Sequence, residues 1–251
     1  PIENSLSELW SVFVFLMSGY LYSHSEFKEW FETPLTRDKN KAALEELRVK
    51  IAPFIMRRMK KDVLKELPEK IESTVYADMT ETQKRHYEAY SEIAKDKALA
   101  ILQGGSPKME ILTLLMRLRQ ISCHPSLFDA AYEGDSGKLE VLMELLETAI
   151  ASQHRILVFS QFTSMLDIIK KRLKKENISY FYLDGSTPSE KRIELTHRFN
   201  DGEKEVFLIS LKAGGFGLNL TGADMVIHFD PWWNPAVMEQ ASDRAYRIGQ
   251  I

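Results

Sequence analysis

The sequence is poor in cysteine, in long apolar runs and in net charge. Its 251 residues include one cysteine, Cys123, which excludes an internal disulfide and leaves no cysteine-based metal-ligand set. We therefore expect no metal site and a reducing compartment such as cytosol, nucleoid or nucleus. The apolar stretch at residues 9–17 is too short to span a bilayer, so we expect neither a membrane segment nor a targeting segment. The formal net charge is −3, and any nucleic-acid binding must come from local patches.

The sequence also lacks a complete phosphate-binding loop. Residues 135–138 read DSGK, but Tyr132 replaces the earlier glycine and Leu139 stands where Ser or Thr must ligate magnesium. A second glycine-rich stretch at residues 215–217 follows an apolar run, yet Leu220 occupies the place of the third glycine of a dinucleotide fingerprint. A complete triphosphate or dinucleotide site is therefore not expected in this chain.

From residue 137 onward the chain alternates amphipathic and short apolar segments. The amphipathic segments predict helices, the one after residue 187 with a capping box at residues 187–190. The short apolar segments predict buried strands at residues 156–160, 180–183, 206–210 and 225–230. Such alternation predicts an α/β fold, a parallel sheet with helices on both faces. Ligands of these folds bind at the carboxyl ends of the strands.

The first half of the chain is predicted to be mainly helical. Residues 5–8 form a capping box before an amphipathic helix, and residues 80–83 cap a later one. Residues 71–79 alternate imperfectly and are a candidate strand. On composition, a basic cluster at residues 57–61 is a solvated helix edge.

The last segment combines a glycine loop, an aromatic turn and a helix. Asn234 and Pro235 are a good N-cap and first helical residue. On the helix that follows, Gln240, Arg244 and Arg247 share one face by their spacing. Two arginines and a glutamine so placed can clamp phosphate charge, although arginines on a helix can also be an ordinary solvated face.

Three ordered motifs in this segment resemble the last helicase motifs of the Swi/Snf-type DNA-translocating ATPases, a branch of the superfamily-two helicases. They are AGGFGLN at residues 213–219, DPWWNP at residues 230–235 and QASDRAYRIGQ at residues 240–250. The block LLMRLRQISCHP at residues 114–125 also matches that family. The basic cluster at residues 57–61 resembles an arginine-rich block of the family, which implies that it can lie near DNA. Two positions depart from its pattern: Tyr246 stands where histidine is usual, and Ser242 where an apolar residue is common.

The resemblance implies a RecA-like fold and three parts. Residues 1–65 would be the tail of a first RecA-like lobe and the start of a connector, residues 66–130 a helical connector, and residues 131–251 the second, helicase C-terminal lobe. Pro1 resembles part of the family's Thr-Gly-Thr-Pro element, so a complete first lobe is expected upstream.

The resemblance also implies a site. Arg244 and Arg247 would be arginine fingers, and the nucleotide-binding residues would be Gly217, Asn219 and Gln240. ATP and Mg²⁺ would be bound mainly by the first lobe. Contacts with the backbone of double-stranded DNA are expected from the strand-end loops, at Ser160, Gln161, Gly185, Ser186, Ser210, Lys212 and Trp233. Trp233 is equally open to a packing role.

The expected function is therefore that of the second motor lobe of an ATP-dependent double-stranded-DNA translocase, related to chromatin-remodelling ATPases. The chain alone is not expected to hydrolyse ATP. Its expected partners are DNA and the first lobe of the same protein, without a membrane or an obligate homo-oligomer. Two alternatives stay open: the lobe of an RNA or single-strand helicase, and a non-enzymatic module that binds nucleic acid or another protein.

Overall fold

The computed structural model describes residues 5–56, 70–104, 108–213 and 218–246. The chain divides into two compact units, Pro1–Lys65 and Glu66–Ile251. Four features singled out above lie outside the described residues: Pro1, the basic cluster at residues 57–61, Gly217 and Arg247. No described helix is long and apolar enough to cross a bilayer.

The first unit is a small helical cluster. It contains α1 (Leu6–Leu16), α2 (His24–Phe27), a π-helical turn (Lys28–Glu32), α3 (Thr33–Thr36), α4 (Lys41–Ile51) and a 3₁₀ turn (Ala52–Phe54). Phe27 and Phe31, one helical turn apart, pack in a core with Leu9, Phe13, Leu21 and Leu47.

The capping box expected at residues 5–8 is wrong. Ser5 is the N-cap of α1, but its side chain makes no capping hydrogen bond. In the first turn of α1, the Ser7 hydroxyl donates to the Glu32 carboxylate at 2.9 and 3.0 Å. A capping box does occur at α2, between Ser23 and Glu26.

The second unit opens with a helical hairpin. It consists of α5 (Glu81–Gly104), α6 (Lys108–Cys123) and a 3₁₀ turn (Pro125–Leu127). The cap expected for α5 is confirmed, because the Gln83 N–H donates to Thr80 Oγ1 at 3.2 Å. The candidate strand at residues 71–79 is wrong: the segment is irregular, and Ile71 and Tyr76 are 91% and 89% exposed. A strand needs a paired backbone and a covered apolar face, and this segment lacks a covered face.

A four-stranded sheet follows the hairpin. The order along the chain is α7 (Gly137–Ala151), β1 (Ile156–Ser160), α8 (Thr163–Lys175), β2 (Tyr180–Leu183), α9 (Ser189–Asn200), β3 (Val206–Ser210), β4 (Met225–His228) and α10 (Pro235–Ser242). The strands lie in the order β2-β3-β1-β4, and every pair is parallel. The predicted α/β fold with a parallel sheet is confirmed.

The sheet is covered on both faces, because alternate residues of a strand point to opposite sides. On one face Ile156, Val158 and Val206 pack with α7 and α8. On the other, Leu157, Phe159 and Phe207 pack with Leu195 and Phe199 of α9 and Ala241 of α10. All residues of β1 and β3 are buried, which explains their uninterrupted apolar sequences.

Gln83 joins the helical hairpin to the sheet layer. Its buried amide donates to the carbonyls of Ile121 at 3.0 Å and Ser122 at 3.2 Å, and accepts from the Gly137 N–H at 3.2 Å. A Cβ at Gly137 would lie 1.7 Å from the Asp78 carbonyl oxygen, so only glycine fits there. The ends of α5, α6 and α7 are therefore fixed to one another.

Candidate functional site

The predicted site residues of the second unit cluster at the carboxyl edge of the sheet. Four loops leave this edge, after β1, β2, β3 and β4. They supply polar and aromatic side chains, and α10 begins beside the last of them. This is the edge at which parallel α/β sheets bind ligands.

The loops after β1 and β4 are joined by a buried aspartate. Asp230 is 3% exposed, and its carboxylate accepts the Gln161 N–H at 3.1 and 3.2 Å. Burial raises the pKa of Asp230 to about 6, although hydrogen bonds from Ser160 and Gln161 act in the opposite direction. The Gln161 backbone is therefore fixed by the end of β4.

Ser160 and Ser210 are paired in register at the ends of β1 and β3. Both are buried, at 1% and 3% exposure. The Ser160 hydroxyl exchanges hydrogen bonds with the backbone of Phe162 at 3.2 and 3.3 Å, and Ser210 Oγ accepts the Ala213 N–H at 3.3 Å. These hydroxyls shape their own loops, whereas Lys212 beside them is exposed.

The loop after β2 is exposed and is ordered from both sides. Asp184 accepts the Ser186 N–H at 2.9 Å, the Ser186 hydroxyl at 2.6 Å and the Tyr182 hydroxyl at 2.8 Å. These bonds, led by that of the Ser186 side chain, lower the pKa of Asp184 to about 2. From α9, Arg192 donates to the carbonyls of Thr187 at 2.7 Å and Gly185 at 3.0 Å. Gly185 and Ser186 are therefore presented to solvent on a fixed backbone.

This geometry corrects one expectation about α9. The capping box expected at residues 187–190 is wrong, because the N-cap is Pro188 and no side chain caps the helix. The Thr187 hydroxyl lies instead beside Asp184, where it accepts the Asp184 N–H at 3.1 Å. Thr187 therefore belongs to the loop rather than to the helix.

The end of the glycine loop is held by Asn200 of α9. The Asn200 side chain donates to the Asn219 carbonyl at 2.9 Å and accepts the Gly222 N–H at 3.0 Å. A Cβ at Gly222 would lie 2.9 Å from Asn200 Cα, so the close approach requires glycine. Asn219 itself is exposed, and Gly217 lies outside the described residues.

A cleft of about 650 Å³ lies between this loop end and the loop after β2. Gly185 and Asn219, one predicted to contact DNA and the other the nucleotide, both line it. Arg192 and Asn200, which fix the two loops, line it as well. The cleft therefore brings together two residues that the sequence places 34 positions apart.

The helix that carries the predicted arginines is shorter than expected. Asn234 accepts the Ala236 N–H at 3.0 Å and Pro235 is the first helical residue, which confirms the predicted start. The helix ends at Ser242, however, so Arg244 lies in the turn after it and not on a common helical face with Gln240. The turn is fixed because the Arg244 carbonyl accepts the Leu220 N–H at 2.9 Å.

Arg244 is buried, at 5% exposure, and Gln240 is half-buried. Arg247 lies outside the described residues. The bond to Leu220 ties this turn to the glycine loop, so the structure connects the two motifs that the resemblance assigns to the nucleotide.

His228 and Ser242 form a contact that the sequence did not indicate. His228 Nε2 lies 2.8 Å from Ser242 Oγ, and the His228 ring stacks on Phe159 at 5.5 Å. Burial lowers the pKa of His228. Ser242, one of the two departures from the family pattern, thus has a polar partner on β4.

Arg119 is the functional candidate that sequence reasoning missed. Its guanidinium lies over the rings of Trp233 at 4.5 Å and Trp232 at 5.6 Å, and donates to the Pro231 carbonyl. Trp233 is 58% exposed. Arg119 stands inside the block at residues 114–125 that resembles the family, but nothing in the sequence pairs it with a turn 112 positions away.

The pair Cys123–His124 is packed inside the protein. Both are buried, and burial raises the pKa of Cys123 to about 12 and lowers the pKa of His124. His124 Nδ1 accepts the Ser126 N–H at 3.2 Å. Among the described residues, no three histidine, cysteine, aspartate or glutamate side chains are grouped so as to hold a metal ion.

Comparison with protein families identifies the chain. The SNF2-related domain matches residues 1–127, and the helicase conserved C-terminal domain matches residues 137–249. The chain belongs to the SNF2 family of ATP-dependent helicases and remodelling ATPases, as the motifs at the carboxyl edge of the sheet indicate.

Relatives occur in bacteria and in eukaryotes. A putative ATP-dependent helicase/translocase of Bacillus subtilis, YwqA, is 40% identical over 262 residues, which cover 100% of this chain and 28% of the relative. The human SWI/SNF-related matrix-associated actin-dependent regulator of chromatin subfamily A member 1 is 39% identical over 263 residues, 100% of this chain and 25% of the relative. The chain spans about a quarter of the length of such relatives.

Solved structures show the same fold. The Sulfolobus solfataricus SWI2/SNF2 ATPase core domain is 39% identical, with a TM-score of 0.64 over 100% of this chain and 52% of that chain. The same core in complex with double-stranded DNA is 38% identical, with a TM-score of 0.62 over 100% and 54%. The parallel sheet is therefore RecA-like, as the resemblance implied.

Proposed function

We propose that this chain is the second motor lobe, with its connector, of an ATP-dependent translocase of double-stranded DNA. One observation carries the proposal: the motifs shared with the SNF2 family converge on one edge of a RecA-like sheet. A similar core from Sulfolobus solfataricus was solved with double-stranded DNA, which supports that substrate. The second lobe would work against an ATP site on a first lobe of the same protein.

Arg244 and Arg247 are proposed as the arginine fingers. Phosphoryl transfer needs compensation of the charge that develops on the transferred group, and a guanidinium supplies fixed charge and a fork of donors. Because Arg244 is only 5% exposed, its turn would have to open towards the nucleotide when the lobes close. The hydrogen bond between the Arg244 carbonyl and Leu220 would carry that movement to the glycine loop.

We propose that the nucleotide is also bound by Gly217, Asn219 and Gln240. Asn219 is exposed beside the cleft, and Asn200 and the Arg244 carbonyl hold the residues around it. ATP is the substrate, and the Mg²⁺ that accompanies it is assigned to the first lobe. This chain would contribute polar and cationic groups that meet the nucleotide only on closure.

DNA contact is proposed at the strand-end loops. Gly185, Ser186, Lys212 and Trp233 are exposed and can reach a phosphate backbone directly. Ser160 and Ser210 are buried, so any contact from their loops would use backbone N–H groups or follow a rearrangement. Gln161 is half-buried and its N–H donates to Asp230, so contact from its backbone would require a rearrangement. Contacts with phosphates are independent of base sequence and sensitive to salt.

ATP hydrolysis by the full-length protein tests the proposal. Double-stranded DNA should stimulate turnover, and Arg247→Ala should reduce the stimulated rate by about 10³-fold or more while ATP still binds, because finger residues contribute on that order. Arg198→Ala is the matched control, since Arg198 is engaged by Glu194 and Glu203 on the surface of α9. Turnover indifferent to DNA and to Arg247 would contradict the proposal.

Displacement assays separate the proposal from an unwinding helicase. A translocase on double-stranded DNA should release the third strand of a triplex without separating the duplex. Separation of an RNA or DNA duplex without triplex release would instead favour the helicase alternative. The 251-residue chain alone should show no magnesium-dependent turnover.

A further inference from the structure

Arg119 contacts the aromatic turn at residues 231–233 from α6 of the helical hairpin. Its guanidinium lies over the Trp233 and Trp232 rings, at 4.5 and 5.6 Å, and donates to the Pro231 carbonyl. A planar guanidinium can stack on an aromatic face and donate a hydrogen bond from its edge at the same time, whereas a lysine ammonium cannot do both in this geometry.

The helix that presents Arg119 is itself fixed. The buried Gln83 amide donates to the carbonyls of Ile121 and Ser122, two and three residues after Arg119 on α6, and accepts from Gly137 at the start of α7. The Ser122 hydroxyl closes the same turn, because it donates to the Arg119 carbonyl at 2.9 Å. The guanidinium therefore projects from an anchored backbone.

The turn, in contrast, exposes much of its surface. Trp232 and Trp233 are 36% and 58% exposed, and the turn leads from the buried Asp230 into α10. We propose that Arg119 is a positioning residue that holds the turn at residues 231–233 so that Trp233 faces DNA. This inference rests on the proposed DNA contact of Trp233, and it gives the helical hairpin an indirect role in DNA engagement, through Trp233.

The charge-conserving variant Arg119→Lys is the first test. In DNA-stimulated ATP hydrolysis by the full-length protein, it should raise the DNA concentration at half-maximal stimulation about three- to tenfold, with a smaller change in turnover at saturating DNA. Arg117→Lys is the matched control, since Arg117 lies on the same helix but contacts Gln120 and the Phe128 ring. Equal effects of the two lysine variants would overturn the inference.

A double-mutant cycle with Trp233→Ala distinguishes the two levels of the argument. If Arg119 acts through Trp233, the combined variant should be little worse than Trp233→Ala alone. Additive effects would overturn the positioning role. An unchanged half-saturation for Trp233→Ala would overturn the proposed DNA contact itself, whatever Arg119→Lys does.

Trp232 provides a test that leaves Arg119 and Trp233 intact, should Arg119→Lys fold poorly. Trp232→Leu removes one of the two rings beside the guanidinium and should raise the half-saturation in the same direction. Trp232→Phe restores an aromatic face and should recover most of the loss. The inference would be contradicted if Trp232→Leu left the DNA half-saturation unchanged, or if Trp232→Phe did not restore it.

Discussion

Asp184 and Asp230 follow the two edge strands, β2 and β4, at the carboxyl edge of the sheet. Asp184 accepts hydrogen bonds from Ser186 of its own loop, whereas Asp230 accepts one from Gln161 of the loop after β1. Their ionisation equilibria nevertheless move in opposite directions. The pKa of Asp184 falls to about 2, whereas the pKa of Asp230 rises to about 6. The two carboxylates have the same chemistry, so the difference lies in their surroundings.

The balance of hydrogen bonds and burial decides the direction. Asp184 is only half-buried and accepts from two backbone or hydroxyl groups of Ser186 and from Tyr182. Asp230 is 3% exposed, so the loss of hydration outweighs the N–H of Gln161. The exposed loop after β2 is thus ordered around an Asp184 carboxylate whose ionised form is stabilised. At the buried contact between the loops after β1 and β4, the ionised form of Asp230 is destabilised.

The largest effect is expected for Asp230→Asn. The pKa of Asp230 is raised, so its contribution to the free energy of unfolding is fully present below about pH 4 and is lost as pH rises through about 6. Asparagine resembles the protonated carboxyl and keeps an oxygen for the Gln161 N–H. The variant should therefore gain up to about 3 kcal/mol relative to the wild type between pH 4 and pH 7.

Urea denaturation of both proteins at a series of pH values measures this gain. The difference in free energy of unfolding should change between pH 4 and pH 6 and be level above about pH 7. A difference that does not vary with pH would show that Asp230 is not the titrating group.

A smaller effect, opposite in sign, is expected for Asp184→Asn. The pKa of Asp184 is lowered, so its contribution is present above about pH 4 and is lost as pH falls towards 2. An amide cannot accept at both terminal atoms, so the Tyr182 or Ser186 hydroxyl loses its partner. At pH 7 the variant should lose about 1–2 kcal/mol in free energy of unfolding. Stabilisation by both asparagine substitutions would remove the contrast between the two loops.

Much of the fold follows from local sequence. The four apolar runs predicted the strands because a buried parallel strand needs apolar side chains on both faces, and β1 and β3 are buried throughout. Asn234 and Pro235 predicted the start of α10 because capping depends on residues adjacent in the chain. The α/β class and the ligand-binding carboxyl edge of the sheet could therefore be predicted from the sequence alone.

The sequence did not predict which contacts each polar residue of the loops makes. Ser160 is the last residue of β1 and Ser186 lies in the loop after β2, yet the Ser160 side chain is buried and Ser186 is exposed. Thr187 pairs with Asp184 instead of capping α9, and Arg119 meets a turn more than a hundred positions away. The burial of Ser160 and the contact of Arg119 depend on tertiary packing, which local patterns do not encode. Thr187 differs, because both of its possible roles involve residues near it in the chain and local sequence does not decide between them.

The smallest effect is expected for Arg192→Lys, which loosens the exposed loop from the α9 side. The guanidinium donates to the carbonyls of Asp184, Gly185 and Thr187, and a lysine ammonium cannot reach all three from one position. The net charge is unchanged, so a loss of about 1 kcal/mol in free energy of unfolding would reflect geometry alone.

If that loop presents Ser186 to DNA, Arg192→Lys should also raise the DNA half-saturation of stimulated ATP hydrolysis, by about twofold to threefold. Arg198→Lys on the same helix is the matched control, because Arg198 pairs with Glu194 and Glu203 and touches no carbonyl of the loop. If Arg192→Lys lowers stability but leaves the DNA half-saturation unchanged, the loop after β2 is an ordered surface loop without a DNA contact. The proposed DNA contact would then be limited to Lys212 and the aromatic turn that follows Asp230.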